Sequence, residues 1–209
     1  MIEYNKIDTI YARDTKGTKK LIEGEFRSAT VEYLASNEWE FTEKIDGTNI
    51  RVHWDGHKIT FGGRTDKAQI PSHLLDKLTD IFLNDAAEQL FEQMFGIKEV
   101  ILFGEGYGHK IQNGDVYRED VGFILFDVMI GGNYHSRQTV QGVADAFGLE
   151  IVPIVLRGNI YDAVEFVKSK PASTIGKAKM EGVVGRPCVE VCDRCGNRII
   201  VKIKACDFE

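Results

Sequence analysis

The spacing of the apolar residues changes along this chain of 209 residues, and that change constrains the fold class more than any other feature. Between residues 38 and 61 apolar and polar residues alternate, which is the two-residue period of strands with one buried face. Between residues 73 and 95 apolar residues recur at every fourth position, which predicts one helix or two, with Asn84 or Asp85 as an internal cap and Gly96 at the end. The positions in this helical stripe are Leu74, Leu78, Phe82, Ala86, Leu90 and Met94.

The rest of the chain continues the mixture of helices and strands. One further helix is capped by Ser136 and ends at Gly148, and another covers Tyr161–Lys168 with Asn159 as its cap. A lysine-rich turn is predicted at residues 16–20. The predicted strands are Glu38–Thr42, Asn49–Trp54, His57–Phe61, Glu99–Phe103, Val121–Ile130, Ile151–Leu156, Gly182–Gly185 and Arg198–Lys204. We therefore expect a single α+β domain over residues 1–209, built on antiparallel strands in one or two sheets flanked by helices.

Composition limits the location and the partners of the chain. The formal net charge of −6 excludes a uniformly basic nucleic-acid-binding protein but leaves room for a local basic groove. No apolar run reaches the length of a membrane span, and the first residues lack the apolar stretch of a secretion signal. The four cysteines do not form the disulfide framework of a small secreted protein. We expect a cytoplasmic protein without a membrane partner, and its oligomeric state stays open.

Lys44 lies between two alternating segments, residues 38–42 and 49–54. Asp46-Gly47 follow it, and this pair is typical of a tight turn between two strands. A lysine at such a position has its ammonium held at the end of a strand, which suits a nucleophile. The alternative is an ordinary solvated lysine at a strand end.

Charged residues recur at the ends or on one face of other apolar strands. Lys202 and Lys204 are two residues apart, so they project from the same face of a strand, where a shared anion such as a phosphate would offset their repulsion. Glycines flank Glu105 and follow Glu181, which permits close approach of a ligand to the backbone. Carboxylates beside a phosphate site indicate either a metal ion or sugar hydroxyl groups.

Five short motifs then follow one another in a recognisable order. They are Lys44-x-Asp46-Gly47, Phe103-Gly104-Glu105, Phe126-Asp127-Val128, Glu181-Gly182-Val183-Val184 and Val201-Lys202-x-Lys204. In this order they resemble the covalent nucleotidyltransferases, the superfamily of ATP-dependent DNA ligases, RNA ligases and mRNA capping enzymes. The resemblance covers about residues 43–204, most of the chain. Asn49 and Gly63-Arg64-Thr65 resemble the RNA ligase branch, in particular the phage type that seals nicks in duplex RNA.

This resemblance implies the nucleotidyltransferase fold, the ATP-grasp-like fold of ligase adenylation domains. It implies an ATP-dependent RNA ligase in which Lys44 attacks the α-phosphorus of ATP, releases pyrophosphate and forms a lysyl–AMP phosphoramidate. Neighbouring cations would favour the neutral amine that this attack requires. AMP would then pass to a 5′-phosphate end, and a 3′-hydroxyl would displace it to seal the strand.

The resemblance also assigns roles to individual residues. Lys202 and Lys204 would hold the α-phosphate, and Glu181 would act with Mg²⁺ or Mn²⁺, with Asp46 as a second candidate for the metal. The residues implied to bind the nucleotide are Glu43, Ile45, Asn49, Arg64, Glu105, Phe126, Lys202 and Lys204. Among them, Glu105 would bind the ribose, Phe126 would stack on adenine, and Arg64 would contact phosphate. The expected partner is nicked or broken RNA, with an RNA–DNA duplex also open, in the host cytoplasm if a phage encodes the chain.

Several alternatives stay open. Asp46 stands where histidine is frequent in duplex-nick RNA ligases and where aspartate is common in DNA ligases, so a minimal DNA ligase core is the second candidate. No OB-fold or other appended domain is expected after Lys204, so strand sealing could be slow or need a partner. From a different class, the chain could be a catalytically silent nucleic-acid-binding module with a metal bound by cysteines. The candidate cysteines are Cys188, Cys192, Cys195 and Cys206. Lys202 and Lys204 could be ordinary exposed residues of an edge strand, and Glu105 and Glu181 could be plain carboxylates at strand ends. Phe126 could be a core residue, and Arg64 could lie on the surface.

Overall fold

The structure is a computed structural model that describes residues 1–18 and 20–209. Its contacts divide the chain into two compact units. The central unit comprises Met1–Asn5 and Asp46–Val152, and the terminal unit comprises Lys6–Ile45 and Pro153–Glu209. Each unit has its own hydrophobic core. The α+β class is confirmed, whereas the expected single domain over residues 1–209 stays a prediction.

The terminal unit is built on a five-stranded sheet, with strands numbered in chain order along the whole protein. Its elements are β1 (Asp8–Thr9), β2 (Tyr11–Arg13), β3 (Leu21–Phe26), α1 (Ala29–Leu34), β4 (Trp39–Glu43), β11 (Ile154–Gly158), α5 (Ile160–Lys168), β12 (Gly182–Pro187) and β13 (Val201–Lys204). The sheet order is β1-β13-β12-β4-β11, and β2 pairs separately with β3. All pairs are antiparallel except β1 with β13.

Period-two alternation determines which face of this sheet is buried. In β4, Trp39, Phe41 and Glu43 are buried while the residues between them are half-buried. Val201 and Ile203 of β13 are buried in the same way. The apolar side chains of this phase join the core of the unit with α5, whose N-terminus carries a capping box between Asn159 and Asp162. The alternate residues, including those of β13, therefore lie on the opposite face.

The central unit contains a six-stranded sheet and three helices. Its elements are β5 (Thr48–Trp54), β6 (Ile59–Gly62), α2 (Ser72–Phe82), α3 (Asp85–Phe95), β7 (Val100–Gly108), β8 (Val121–Ile130), β9 (Asn133–Tyr134), α4 (Arg137–Phe147) and β10 (Glu150–Ile151). The strand order is β10-β8-β7-β5-β6, with β9 paired to β8. The pairs are antiparallel except β10 with β8. Among the described residues, no helix is long and apolar enough to cross a membrane.

The predicted pair of helices between residues 73 and 95 is confirmed, but the apolar face predicted for the second helix is wrong. Asn84 caps α3 by accepting a hydrogen bond from the backbone N–H of Ala87 at 3.0 Å. Because the chain leaves the helix at the cap, the four-residue spacing restarts there with a new phase. The buried residues of α3 are accordingly Ala87, Phe91 and Phe95, and not Ala86, Leu90 and Met94.

The turn predicted at Asp46-Gly47 is also wrong, because β4 and β5 belong to different sheets. Gly47 is needed for another reason. A Cβ atom on Gly47 would lie 2.3 Å from the carbonyl oxygen of Gly106 in β7. The segment therefore depends on glycine for a close backbone contact, and no hairpin turn is formed.

Three strand predictions also need correction. The strand predicted over Ile151–Leu156 is two strands in different sheets, β10 and β11, because Val152-Pro153 interrupts the pairing. The strand predicted from Glu99 to Phe103 continues to Gly108, and the one predicted from Arg198 begins at Val201. In the lysine-rich turn, residues 15–18 form a turn, and Lys19 lies outside the described residues.

Candidate active site

In the terminal unit, Lys44 directly follows β4 and lies beside the ends of β12 and β13. Its backbone N–H donates to the carbonyl of Gly182 at 2.9 Å, and Gly182 is paired with Lys204 across β12 and β13. Gly182 packs closely on β13, where an added Cβ would lie 2.1 Å from the carbonyl oxygen of Ile203. The pairing thus places Lys44, Gly182 and Lys204 in one row, with a glycine between the two lysines.

The carboxylate of Glu181 connects these two lysines. Its Oε2 lies 2.5 Å from Nζ of Lys44, and its Oε1 lies 2.8 Å from Nζ of Lys204. The Glu181 side chain is 17% exposed, so the cluster is shielded but open to solvent on one side. The hydrogen bond from Lys204 to Glu181 raises the pKa of Lys204 above its ordinary value. One carboxylate therefore holds two ammonium groups, which leaves an excess of positive charge for an anion.

Lys202 lies on the same face as Lys204, as its spacing predicted. It is half-buried and is paired with Val184 of β12 and with Thr9 of β1. Since β13 has a partner on each side, the alternative of an exposed edge strand is wrong for this lysine. The cationic face formed by Lys44, Lys202 and Lys204 is therefore half-buried, with Lys202 between two paired strands and Lys44 directly after the end of β4.

Glu43 points to the opposite face from Lys44 and is only 1% exposed. Its carboxylate accepts hydrogen bonds from the hydroxyl of Ser173 and from the backbone N–H (2.9 Å) and hydroxyl (2.6 Å) of Thr174. These bonds satisfy the buried charge and tie the loop after α5 to β4. The nucleotide-binding role implied for Glu43 and for buried Ile45 stays a prediction, but the Glu43 side chain already has a structural role.

In the central unit, Asn49 of β5 and Glu105 of β7 lie directly opposite each other. Both are half-buried and belong to the strand face opposite the core, since Ile50 and Gly104 are the paired residues of the core phase. Oδ1 of Asn49 is buried and has no hydrogen-bond donor among the described residues. A buried acceptor in this state is costly, and a ligand hydroxyl or N–H group would satisfy it.

Asp46 is held by the connection between β7 and β8. Its carboxylate accepts a hydrogen bond from Nδ2 of Asn113 at 2.9 Å, and its backbone N–H donates to the hydroxyl of Tyr117 at 3.2 Å. Within the described part of the chain, no group of three or more His, Cys, Asp or Glu side chains is placed to hold a metal ion. The cysteine-bound metal of the alternative hypothesis therefore has no support in the described residues.

Phe126 lies at a β-bulge in β8. Gly104 of β7 pairs with Leu125, and Phe103 pairs with Asp127, so Phe126 is the extra residue. Its ring is half-buried, lies outside the core of the unit, and meets the ring of Tyr4 edge-on at a centroid distance of 5.1 Å. The alternative of an ordinary core aromatic is not supported, and an aromatic platform for a base stays a prediction.

Arg64 is exposed in the loop that follows β6, as the surface alternative described. Sequence reasoning missed the residues that hold the candidate residues and their loops in place within each unit. In the central unit they are Arg51, Asn113 and Tyr117, and in the terminal unit they are Ser173 and Thr174. Each acts on a residue more than ten positions away, so the local pattern holds no signal for the contact.

The fold matches solved RNA ligase structures. A mutant of the Naegleria gruberi RNA ligase with ATP and Mn is similar with a TM-score of 0.68 and 17% identity, over 97% of this chain and 56% of that chain. The same ligase with PPi gives a TM-score of 0.65 at 17% identity, over 98% and 62% of the two chains. A mutant with AMP and Mn gives 0.63 at 17% identity, over 97% and 62%. The chain thus spans about three-fifths of the length of these structures.

These likenesses confirm the nucleotidyltransferase type of fold, with antiparallel sheets and a few helices. The sequence model of the RNA ligase family matches residues 37–204, most of the chain. The chain belongs to the RNA ligase family. A comparison with curated protein sequences finds no match.

Proposed function

We propose that this chain carries out the nucleotidyl transfer of an ATP-dependent RNA ligase. The observation that supports this most directly is the cluster in which Glu181 joins Lys44 to Lys204 beside Lys202. Nζ of Lys44 attacks the α-phosphorus of ATP. Lys44 reacts as the neutral amine: the P–N bond forms as the bond to the pyrophosphate oxygen breaks, and the nitrogen releases one proton to water. The product is a lysyl–AMP phosphoramidate with free pyrophosphate.

The lysines on this face supply charge for the reaction. Lys202 and Lys204 project toward the same side of the sheet as Lys44. Their charges balance those of the α-phosphate as it passes through its pentavalent state. The hydrogen bond to Glu181 raises the pKa of Lys204, so this side chain is cationic as the nucleotide enters.

Glu181 fits a role with Mg²⁺ or Mn²⁺. It is a carboxylate reachable from solvent, and both its oxygens face cations already. Glu181 would supply one carboxylate, and phosphate oxygens and water would be the other ligands. This suits Mg²⁺, which usually binds few protein ligands. The metal would add electrophilic assistance at the phosphate. If Glu181 held such a cation, its carboxylate would face the metal instead of the two lysines, and Lys44 would be released from its ion pair.

The central unit offers contacts for the nucleoside and for the strand that is sealed. Glu105 and Asn49 present polar groups on one strand face, and the unsatisfied Oδ1 of Asn49 can accept from a hydroxyl or N–H group. Phe126 offers its ring to adenine, and Arg64 offers a guanidinium to phosphate. AMP then passes to a 5′-phosphate end, and a 3′-hydroxyl displaces it. We propose nicked or broken RNA as the substrate, of the duplex type sealed by phage ligases.

Mass spectrometry after incubation with ATP and Mg²⁺ tests the first step. We expect wild-type protein, shown beforehand to be free of AMP, to gain the mass of one AMP, and Lys44→Ala to gain none. Lys168→Ala is the matched control, because Lys168 is a lysine in ion pairs at the end of α5 and outside the cluster. No gain by the wild type, or gain by the Lys44 variant, would contradict the proposal.

The sealing step needs a second measurement. Nicked duplexes with RNA or DNA on the 3′-hydroxyl side separate an RNA ligase from a DNA ligase core, and we expect the RNA strand to be sealed faster. GTP in place of ATP checks the nucleotide. If the duplex with DNA on the 3′-hydroxyl side were sealed and the duplex with RNA there gave no faster sealing, the choice of RNA as substrate would be overturned.

A further inference from the structure

Arg51 is a fully buried arginine on the polar phase of β5. Its guanidinium makes hydrogen bonds in three directions. Nε donates to the carbonyl of Gly63 at 2.7 Å, and Nη2 contacts Oδ1 of Asp66 at 2.9 Å. Nη1 donates to the carbonyls of Met1 and Ile2, each at 3.1 Å. All these partners belong to the central unit.

Two of these partners enclose Arg64 in the sequence. Gly63 precedes it, and Asp66 follows Thr65. Gly62, at the end of β6, also lies against the guanidinium, where an added Cβ would be 3.0 Å from Nη2. The loop from 63 to 66 is therefore held at both ends by one side chain, while Arg64 itself stays exposed.

Burial of a guanidinium carries a large desolvation free energy. Apolar side chains of similar volume fill such a site at equal or lower free energy, so a buried charge indicates a need for directional contacts. The planar guanidinium can meet a carbonyl, a carboxylate and a further pair of carbonyls at once, whereas the single ammonium of a lysine lacks this fixed geometry. The contacts are directed at backbone carbonyls of the loop and of residues 1 and 2.

We propose that Arg51 is a positioning residue for Arg64. It fixes the loop 63–66 so that the Arg64 guanidinium is presented in one orientation to a phosphate of the nucleotide or of the RNA end. This rests on the proposed function, in which Arg64 binds phosphate. A preset arginine loses less conformational freedom when it meets the phosphate, and its placement within about 1 Å decides how well it assists the reaction.

A double-mutant cycle tests this coupling with a variant that spares the buried arginine. The Asp66 side chain is 66% exposed but pairs with the buried Arg51, so Asp66→Ala loosens the loop and is compared with the wild type only after thermal unfolding shows a folded protein. We expect Arg64→Ala to lower the single-turnover rate constant of one phosphate step, either lysyl–AMP formation or transfer of AMP to RNA, by about 100-fold. Asp66→Ala should lower the same rate constant by about tenfold, and the double variant should be no slower than Arg64→Ala.

Asp120→Ala is the matched control. Asp120 is 63% exposed and pairs with Arg118 at 2.6 Å, so it is an aspartate of similar exposure in an aspartate–arginine pair of the same unit, with an arginine that is 29% exposed. We expect its rate constants to equal those of the wild type. Arg51→Lys keeps the charge but loses the planar guanidinium and its several N–H donors. We expect it to lower the same single-turnover rate constant as Asp66→Ala, once thermal unfolding has shown that the variant is folded.

Trypsin cleavage gives a readout that does not depend on ligase activity. Trypsin cuts after exposed arginines in flexible segments, and Arg64 is exposed in a loop held at both sides. We expect cleavage between Arg64 and Thr65, identified by mass, to be several-fold faster in Asp66→Ala than in the wild type or Asp120→Ala.

The two ideas fail in different ways. If the wild type forms no lysyl–AMP, the proposed function fails, and faster cleavage at Arg64 still supports Arg51 as the anchor of the loop. If the wild type is active but the effects of Arg64→Ala and Asp66→Ala multiply, the positioning role is overturned. Unchanged cleavage at Arg64 in Asp66→Ala would overturn it as well.

Discussion

At the scale of single residues, the site depends on which group each carboxylate meets. Glu43 and Glu181 are both glutamates with different surroundings. Glu43 is buried among hydroxyl and N–H donors, whereas Glu181 connects the ammonium groups of Lys44 and Lys204. The burial of Glu43 could be predicted, because Trp39 and Phe41 precede it at two-residue spacing on the core face. Its partners Ser173 and Thr174 could not, since they come from a loop 130 residues further along the chain.

Glu181→Gln is expected to return the pKa of Lys204 toward its ordinary value of 10.5. In the wild type the carboxylate raises this pKa, so the stabilisation from the pair is complete below the ordinary value and is lost as pH rises through the raised one. The stability difference between wild type and variant should therefore narrow at alkaline pH. NMR titration of the lysine side chains measures the shift.

Lys168 serves as an internal control in the same titration. Its pKa is raised by a hydrogen bond to Glu23, which the substitution leaves in place. A Lys204 pKa that stays raised in Glu181→Gln, with Lys168 unchanged, would show that another group is responsible.

At the scale of helices and strands, the sequence could predict the residues that cap helices and the alternation of buried and exposed residues in strands. Ser136, Asn159 and Asn84 cap the helices as expected, because a cap acts within one turn of its helix. The burial of Arg51 could not be predicted. It shares the polar phase of β5 with Asn49 and His53, and it is covered by the chain terminus. Nothing within the strand distinguishes it from a solvent-facing residue.

Gly47→Ala is expected to destabilise the protein by about 3 kcal/mol, because its Cβ would lie 2.3 Å from a backbone oxygen of β7. Gly142→Ala is the matched control. Gly142 is exposed in α4 with open space around it, so alanine should stabilise the helix by up to about 1 kcal/mol. Urea unfolding of both variants measures the difference, and a neutral Gly47→Ala would refute the close contact.

At the scale of the whole molecule, each unit is assembled from separate segments of the chain. The central unit consists of Met1–Asn5 and Asp46–Val152. The terminal unit consists of Lys6–Ile45, which lies between these two segments in the sequence, and Pro153–Glu209, which follows them. Sequence periodicity describes single elements, so the α+β class and the strand content were accessible. The division of strands such as β10 and β11 between two sheets was not, because it depends on contacts between distant segments.

Tyr4→Ala is expected to weaken the central unit selectively. The Tyr4 ring packs against Phe103, Phe126 and Tyr134, and its hydroxyl donates to buried Asp127 at 2.8 Å. Loss of a buried aromatic costs about 3 kcal/mol or more. Hydrogen exchange should therefore accelerate in peptides of residues 100–134 and stay unchanged in α5 of the terminal unit.

Tyr33→Ala is the matched control, because that tyrosine is 85% exposed in α1. It should leave exchange unchanged throughout. Equal acceleration of both units by Tyr4→Ala would show that the two cores open as one.

The alternation in β4 has a consequence for the orientation of Lys44, the residue that follows this strand. Glu43 and Lys44 are consecutive, so a slip of the strand by one position would turn the lysine toward the core and the carboxylate outward. The same slip would expose Phe41 and leave an ammonium among apolar side chains, so the slipped pairing is far less stable than the native one. The native pairing of β4 therefore also determines the side of the sheet on which the Lys44 side chain lies, before any ligand is bound.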